Sequence, residues 1–447
     1  GLTNGSNYNW GYDPHNYFTP EGWYASDAED PYCRIRELRT LIEECHKAGI
    51  GVILDVVYNH MADSALLDDI VPGYYFRMNE NGGFKSASGC GNDTASEHAM
   101  MKRLIKDSTL FWVKNYKVDG FRFDLMGLME ASSVLDSYKE CAKVNPSVIF
   151  EGEGWKMYDG ESGTVGMDQN YMTKTDDVSV FNDEFRDLVK AGGFNETGLG
   201  LATGKAINTV RLFNNMCGRP AANYKADNPA DNLNYLVCHD GLTLHDLVVN
   251  NCHLEDGRDD EEIISRIKLA NFIELTSQGL VLLHAGQERG RSKPNVNSLK
   301  AECINEFVRN SYDSSDNINQ IVWTLTEPYA KLLEYTKGLI DLRLNTSAFT
   351  LSSADSIKNN VEQLCVQKGD ASQLAFSVKA DGGKYLVFVN ASNKKFTFKT
   401  DVNMSNAKIL ADKNHASSKG ISSSDGMKIS KKKITLDALT TVVLFVK

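Results

Sequence analysis

Three acidic residues stand in short segments that also carry arginine or histidine. Asp124 ends the segment GFRFD at 120–124, Glu153 lies in GEGW at 152–155, and Asp240 follows His239. Glycoside cleavage with retention needs a carboxylate nucleophile and a carboxylic acid about 5–5.5 Å apart. Asp124 and Glu153 are separated by 29 residues, about one strand–helix–strand repeat. This spacing predicts that their carboxyl groups share one pocket.

Each of these residues fits a distinct chemical role. Arg122 lies two residues before Asp124 on a predicted strand, so both side chains point to the same face. The guanidinium can then pair with Asp124, which must be ionised to act as a nucleophile. Glu153 must hold a proton for the leaving oxygen before it activates water. Asp240 can orient sugar hydroxyls and stabilise an oxocarbenium-like transition state.

A less specific interpretation applies to each residue taken alone. A single Asp at a strand end more often caps a helix or forms an ion pair, and a single His-Asp pair says little. The full set in this order, each member at a predicted strand end, favours catalysis. Glu151 is the rival to Glu153 as the acid, since it lies two residues earlier on the same strand face.

Alternating strands and helices must position these side chains. Short apolar runs predict strands at 51–57, 118–125, 148–151, 178–181, 233–238 and 279–284, and helical patterns cover 101–116, 133–143 and 262–277. Such alternation predicts an α/β fold with parallel strands, either an open doubly wound sheet or a (β/α)8 TIM barrel. Acidic residues at the carboxyl ends of strands, without a Gly-rich turn after the first strand, favour the barrel.

After about residue 350 the pattern changes to short runs with period two. They lie at 373–378, 385–389, 396–398, 409–410 and 440–446, separated by Gly, Asn, Ser and Lys. This pattern predicts a C-terminal antiparallel β-sandwich. We therefore expect a catalytic barrel over 1–348 and a β-sandwich domain over 349–447.

The bulk composition narrows the classes of function. The net charge of −11 over 447 residues argues against nucleic acid as a partner, because phosphate binding needs a basic surface. No run approaches the ~20 apolar residues of a membrane helix, so no membrane partner is expected. Nine scattered cysteines without a CxxC pair predict neither a disulfide framework nor a zinc site, but mostly buried thiols in the cytoplasm.

Two sets of motifs resemble a known family. The segments above, together with DVVYNH at 55–60, resemble the four signature regions of the α-amylase family of glycoside hydrolases, and YNWGYDP at 8–14 resembles the type I pullulanase motif. The resemblance implies retaining endo-hydrolysis of α-1,6 bonds in pullulan, amylopectin, glycogen and limit dextrins. It implies Asp124 as nucleophile, Glu153 as acid/base and Asp240 as transition-state stabiliser. It also implies substrate-binding roles for Tyr12, His60, Arg122, Trp155 and His239, and a structural role for Asp55.

The fourth signature region departs from the family pattern HDN-x-T-L-W-D. Gly241 and His245 stand where Asn and Trp are usual, and we expect this to change branch preference more than the reaction. In the family, YNWGYDP follows the second barrel strand, so we expect this chain to carry barrel strands three to eight only. The expected partners are a branched α-glucan and the missing N-terminal portion of the same protein. No cofactor is expected to be required, although some relatives bind Ca²⁺.

Two other functions stay open on this evidence. The chain could belong to another α-glucan debranching enzyme or to an α-amylase. It could also be a catalytically inactive glucan-binding fragment. Intact Asp124, Glu153 and Asp240 argue against the inactive fragment, and only the missing strands support it.

Overall fold

A computed structural model describes residues 10–295 and 302–447. Tyr8 and Asn9 of the YNWGYDP motif lie outside the described residues. The chain forms two compact units, one of residues 11–181 and one that joins Trp10 to residues 182–447. The boundary predicted at 348/349 falls within the second unit and stays a prediction.

The first unit is built on four parallel strands covered by helices. The strands are β1 (Ile53–Val56), β2 (Gly120–Phe123), β3 (Ile149–Gly152) and β4 (Ser179–Asn182), hydrogen-bonded in that order. The helices are α1 (Cys33–Lys47), α2 (Ala65–Asp68), α3 (Ala99–Tyr116) and α4 (Ala131–Ala142). All four residues of β2 are buried, as expected for a parallel strand covered on both faces.

Strand β1 forms an open edge of this unit, because among the described residues it pairs with β2 alone. Apolar side chains beside this edge are exposed, with Ile53 of β1 39% accessible and Leu41 of α1 57% accessible. A cavity of about 780 Å³ adjoins them, with Leu38, Leu54 and Trp112 in its lining. The edge therefore leaves both apolar surface and backbone hydrogen-bonding groups uncovered.

The second unit begins with two further parallel strands and their helices. Strand β5 (Asn232–Tyr235) pairs in parallel with β6 (Leu280–Leu282). A hairpin of β7 (Glu302–Ile304) and β8 (Phe307–Asn310) follows them. The helices of this unit are α5 (Asp183–Val189), α6 (Thr209–Met216), α7 (Leu244–Cys252), α8 (Asp260–Leu275), α9 (Asp316–Asn319), α10 (Glu327–Leu344) and α11 (Ala354–Asn360).

Antiparallel strands complete the second unit. They are β9 (Val361–Leu364), β10 (Gln373–Ala380), β11 (Gly383–Asn390), β12 (Phe396–Lys399), β13 (Lys408–Ala411), β14 (Met427–Ser430), β15 (Lys433–Leu436) and β16 (Thr440–Val446). One sheet has the order β13-β16-β11-β10-β9 and the other β12-β15-β14. Phe388 of the first sheet and Phe398 and Ile434 of the second share a buried core, as in a β-sandwich.

The six predicted parallel strands are all present, and their ends lie within three residues of the predicted ones. Strands β7, β8, β9, β14 and β15 were not predicted. In β9, β14 and β15, charged and polar side chains obscure the short alternation. The expectation that most cysteines are buried was wrong. Cys33, Cys141 and Cys217 are buried, whereas the others lie half-buried or exposed, several of them in loops or at helix ends. Among the described residues, no helix is long and apolar enough to cross a membrane.

Candidate active site

Three charged side chains lie in one row across β1, β2 and β3. Asp55 is in register with Arg122, and Arg122 is in register with Glu151. Since side chains in register on neighbouring strands point to the same face, one guanidinium stands between two carboxyl groups. The row continues past the strand ends, where Asp124 follows β2 and Glu153 follows β3.

Arg122 contacts three carboxyl groups. Its Nη1 lies 2.7 Å from Asp55 Oδ1 and 3.3 Å from Asp124 Oδ1. Its Nη2 lies 2.6 Å from Glu153 Oε1. The side chains of Arg122, Asp124 and Glu153 are 8%, 11% and 4% exposed, so water screens the contacts among them little, whereas Asp55 is 46% exposed. One guanidinium thus brings the carboxyl groups of Asp124 and Glu153 to the same place.

Asp124 is held through both carboxyl oxygens. Its Oδ1 faces Arg122, while Asn59 Nδ2 donates to Oδ2 at 2.9 Å and to the Asp124 carbonyl at 2.8 Å. A nucleophile already fixed in orientation loses little freedom when it attacks. The chain then turns sharply at Leu125, whose φ of +40° is a left-handed conformation that costs a non-glycine residue roughly 1–2 kcal/mol.

The turn at Leu125 directs a backbone N–H group towards Glu153. The Leu125 N–H donates to Glu153 Oε2 at 3.1 Å, and the glutamate is 3% exposed. The glycine that follows is required by packing, because a Cβ on Gly154 would overlap Val180 of β4. The GEGW segment therefore seats Glu153 between the turn after β2 and the guanidinium.

Glu151 has a property that a proton donor needs. It is 8% exposed, and burial raises its pKa to about 7 although the nearby Arg122 opposes the shift. A carboxylic acid with a pKa near 7 can act as a general acid at neutral pH. Glu151 lies within β3, however, whereas Glu153 lies beyond its carboxyl end, where barrel enzymes place their chemistry. Both glutamates are therefore candidates that differ in position.

Tyr12 and His60 lie beside this group. The Tyr12 hydroxyl donates to Asp55 Oδ2 at 2.7 Å and accepts from Arg122 Nη1 at 3.2 Å. His60 is 1% exposed, with Nδ1 2.6 Å from Asn59 Oδ1 and Nε2 2.8 Å from the Tyr12 carbonyl oxygen. Both ring nitrogens of His60 have protein partners, so its predicted contact with a sugar hydroxyl requires one of these two contacts to be broken.

Trp155 and Asn59 complete the first-unit group. The Trp155 ring lies 6.5 Å from the Phe181 ring, over which the Arg122 guanidinium sits at 5.7 Å from the centroid. Asn59 was not among the predicted site residues, although it orients Asp124 and contacts His60. The available signal was its position in DVVYNH, next to a predicted site residue.

His239 and Asp240 belong to the second unit, in the loop between β5 and α7. Trp10 packs its ring against His239, with 4.9 Å between the ring centroids. The Asp240 side chain is 65% exposed, and its Oδ1 lies 3.9 Å from His239 Nε2. The substrate contacts predicted for both residues stay predictions.

The departure at Gly241 has a steric cause. Its φ is +81°, and a Cβ at this position would overlap Glu196 Oε1. The same oxygen accepts from the Leu242 N–H at 3.3 Å, and Oε2 pairs with the buried Lys190 at 3.1 Å. The Glu196 carboxylate therefore occupies the space that a side chain on residue 241 would need.

His245, which stands where the family pattern has Trp, forms a buried ion pair. The residue is 4% exposed, with Nδ1 3.1 Å from Asp246 Oδ1 and Nε2 2.9 Å from Asp256 Oδ1. Nε2 also lies 3.1 Å from the Tyr329 hydroxyl. Burial opposes the charge, but the hydrogen bonds to Asp246 and Asp256 outweigh it and raise the pKa of His245 to about 9. His245 therefore connects α7 to the loop that follows it, through Asp256, and to α10, through Tyr329.

The charge on His245 should make stability depend on pH. Its folded pKa of about 9 exceeds an unfolded value of about 6.5, so the stabilisation is complete below pH ~6.5 and is lost as pH rises through ~9. We expect His245→Gln to lower the free energy of unfolding by about 3 kcal/mol at pH ~6 and by little above pH ~10. Urea denaturation at both pH values measures this difference.

The matched control is His253→Asn, because His253 is exposed in the same unit and its left-handed backbone tolerates asparagine. This variant should show no such pH-dependent loss. An equal loss at both pH values in His245→Gln would mean that packing, and not charge, explains the contribution of His245.

Comparison with known proteins places this site in a family. Residues 364–447 match the family model described as SpuA C-terminal. The chain is 39% identical to pullulanase A of Streptococcus pneumoniae, over 99% of this chain and 38% of that protein. It is 38% identical to the solved catalytic module of SpuA, a multi-modular glycogen-degrading pneumococcal virulence factor, in complex with an inhibitor. That match covers 99% of this chain and 68% of the SpuA chain, with a TM-score of 0.93. This chain belongs to the pullulanase family.

A further pullulanase structure agrees with this assignment. The Group B Streptococcus pullulanase SAP, solved in complex with maltotetraose, is 37% identical over 99% of this chain and 61% of its own, with a TM-score of 0.94. Such likeness confirms the predicted fold class, which is a (β/α)8 TIM barrel represented here by six parallel strands, plus a C-terminal β-sandwich. The chain spans about 38% of the length of the pneumococcal pullulanases it matches.

The Ca²⁺ that the family resemblance leaves open would need a set of oxygen ligands. Asp412, His415 and Asp425 lie together in the second unit, but one of these three ligands is an imidazole. The Asp412 oxygens already accept from the N–H groups of Asn414, His415 and Asp425. Because Ca²⁺ takes about 6–8 oxygen ligands, this cluster does not fit calcium.

Proposed function

We propose that the polypeptide containing this chain hydrolyses α-1,6-glucosidic bonds of pullulan and branched α-glucans, with retention of configuration. The observation that carries the proposal is the contact of one buried guanidinium, Arg122, with the carboxyl groups of Asp124 and Glu153. Membership of the pullulanase family supports the reaction, and relatives solved with maltotetraose or described as glycogen-degrading support the substrate class.

Two displacements at the anomeric carbon account for retention. Asp124 attacks that carbon while Glu153 gives its proton to the departing glycosidic oxygen, which leaves a glycosyl ester on Asp124. Glu153 then takes a proton from water as the water oxygen displaces Asp124. Asp240 stabilises the oxocarbenium-like transition state in both steps, and Tyr12 provides an aromatic face for the sugar that is attacked.

The surrounding residues prepare these groups before substrate arrives. Asp55 and the Tyr12 hydroxyl hold the Arg122 guanidinium, and Asn59 fixes the orientation of Asp124. Preorganised dipoles and charges of this kind supply much of enzymatic rate enhancement, because they need no rearrangement during the reaction. His239 is proposed as a hydrogen-bond donor to a sugar hydroxyl, and His60 as a second donor that first breaks one of its two protein contacts. Trp155 is proposed as a further sugar contact.

We also propose that activity requires two more parallel strands beside β1, supplied by another part of the same protein. The support is the open edge of β1, the exposed side chains of Ile53 and Leu41, and the adjoining cavity of about 780 Å³. Asp55 lies on this edge strand and lines the cavity, so covering it would shield the Asp55–Arg122 pair from water. The greater length of the pneumococcal relatives is consistent with such a segment.

The test is the product released from pullulan. The full-length polypeptide is expected to release maltotriose, whereas residues 1–447 alone are expected to show at most a small fraction of that turnover. Activity on amylose without activity on pullulan would favour an α-amylase. Binding of branched glucan without turnover by the full-length polypeptide would favour an inactive glucan-binding protein. Equal turnover by residues 1–447 alone would overturn the requirement for further strands.

Cytoplasmic localisation, and the absence of nucleic-acid and membrane partners, are proposals from composition. The net charge of −11 supports a neutral substrate such as a glucan, because an anionic polymer would be repelled. Fractionation of the native organism with an antibody to the chain would test the compartment.

A further inference from the structure

The side chain of a buried lysine, Lys293, donates hydrogen bonds to the loop that carries Asp240. Lys293 is 2% exposed, and its Nζ lies 2.7 Å from the carbonyl oxygen of Gly241 and 3.5 Å from that of His239. A third carbonyl, that of Arg309, lies 3.3 Å away. An ammonium group has three protons to donate, and three carbonyl oxygens surround it. Two of these carbonyls flank Asp240 directly.

The backbone of Lys293 is itself fixed to the helix that follows the loop. Its N–H donates to Asp246 Oδ2 at 2.7 Å, and its carbonyl accepts from the Val308 N–H at 2.8 Å. Asp246 lies on α7 and also pairs with the buried His245. Lys293 thus joins the loop, which its side chain contacts, to the start of α7, which its backbone N–H contacts.

The opposite side of the loop is held by a carboxylate. Glu196 accepts from the Leu242 N–H and leaves no room for a side chain on Gly241. Two buried charged side chains therefore contact the loop from different sides: Lys293 donates to its carbonyl groups, and Glu196 accepts from the Leu242 N–H. Asp240 lies between the two carbonyl groups that Lys293 contacts, and its own side chain is 65% exposed.

We propose that Lys293 is a positioning residue that sets the place of the Asp240 carboxylate through the His239 and Gly241 carbonyls. The inference rests on the proposed function, in which Asp240 stabilises the transition state. An interaction that forms fully only in the transition state is sensitive to small displacements, and about 1 Å of misplacement can cost roughly 10²-fold in rate. Lys293 acts through the loop and does not touch the reacting atoms.

The chain provides a closely matched control for the loss of a buried lysine. Burial lowers the pKa of Lys293 to about 8, and burial likewise lowers the pKa of Lys268 to about 8. Lys268 is 8% exposed in the same unit, and its Nζ donates to Asn414 Oδ1. Lys268→Met therefore removes a similar buried cation whose hydrogen bond goes to Asn414 and not to the loop.

The first measurement is hydrogen exchange, which does not depend on activity. In full-length protein, Lys293→Met is expected to speed amide exchange in the peptide spanning residues 238–242 by about tenfold or more, because the loop opens more readily. Lys268→Met should leave this peptide unchanged. Unchanged exchange of residues 238–242 in folded Lys293→Met would overturn the proposal.

The second measurement is a double-mutant cycle on pullulan hydrolysis. Lys293→Met is expected to lower kcat about 30–100-fold with KM within about threefold, and to have little further effect in an Asp240→Asn background. Equal factors in both backgrounds would show that Lys293 does not act through Asp240. If Lys293→Met does not fold, Lys293→Gln replaces it and should likewise speed exchange of residues 238–242, because its shorter, neutral side chain cannot donate to all three carbonyls.

A failure of the proposed function can be distinguished from a failure of the role proposed for Lys293. If the unmodified full-length protein hydrolyses no α-glucan, the proposed reaction is wrong, and the hydrogen exchange of residues 238–242 still decides whether Lys293 holds the loop.

Discussion

Replacing Asp124 with asparagine is expected to lower kcat on pullulan by about 10⁴-fold or more in the full-length polypeptide, because the amide cannot form the glycosyl ester. Asparagine has nearly the same shape, and its amide oxygen can keep the hydrogen bond from Asn59 Nδ2. The loss should therefore reflect chemistry and not misfolding. Steady-state rates of maltotriose release, with a thermal unfolding curve for each protein, measure it.

The control for this substitution is Asp136→Asn. Asp136 is an exposed residue of α4 in the same unit, so its loss removes one negative charge without touching the site. Its rate on pullulan should stay within about twofold of the unmodified protein. A folded Asp124→Asn protein that keeps more than about a tenth of the activity would show that Asp124 is not the nucleophile.

Arg122 illustrates what the sequence could predict about this site. Alternation within one strand puts Arg122 and Asp124 on the same face, and their contact at 3.3 Å confirms it. The closer contacts of Arg122, to Asp55 and Glu153, depend on the register between neighbouring strands and on the turn at Leu125. A pattern within one strand contains no information about register, so the guanidinium could not be identified as the centre of the group.

Lys293 and Glu196 illustrate what the sequence could not predict. Both belong to residue types that are usually exposed, and both lie far along the chain from the loop at 238–242. Their roles follow from tertiary packing, which buries each beside backbone groups that need a partner. The resemblance to the family recognised Gly241 as a departure, and its positive φ and the position of Glu196 explain it.

The fold was easier to predict where strands are fully buried. The apolar runs around β2 and β3 and the repeated β-branched residues of β16 give strong signals. β14 (MKIS) and β15 (KITL) instead carry lysines on their exposed positions, and the intervening turn contains Lys431 and Lys432. The core that β14 and β15 cover stabilises their pairing. The sequence of the two strands alone does not show this core.

The second large effect distinguishes Glu153 from Glu151. Glu153→Gln is expected to lower kcat on pullulan by about 10³–10⁴-fold, because the sugar leaving group needs a proton. The loss should be much smaller for maltotriosyl fluoride, since fluoride departs without protonation. Glu151→Gln serves as the matched control, two residues away on the same strand, and is expected to stay within about tenfold on both substrates. The rates on the two substrates, compared for both variants, identify the acid.

Azide provides the decisive check of the role in the second step. With Glu153→Ala and maltotriosyl fluoride as the donor, the glycosyl ester on Asp124 still forms because fluoride departs without a proton, but water lacks its general base, so the ester should accumulate until azide, which needs no base, attacks it. The expected product is maltotriosyl azide with retained α configuration, identified by its anomeric proton coupling. Glu151 is buried and has a pKa of about 7, so it is the alternative candidate for the acid/base. If azide rescues Glu151→Ala and not Glu153→Ala, Glu151 is the acid/base, and Glu153 instead serves to hold Arg122 and the turn at Leu125.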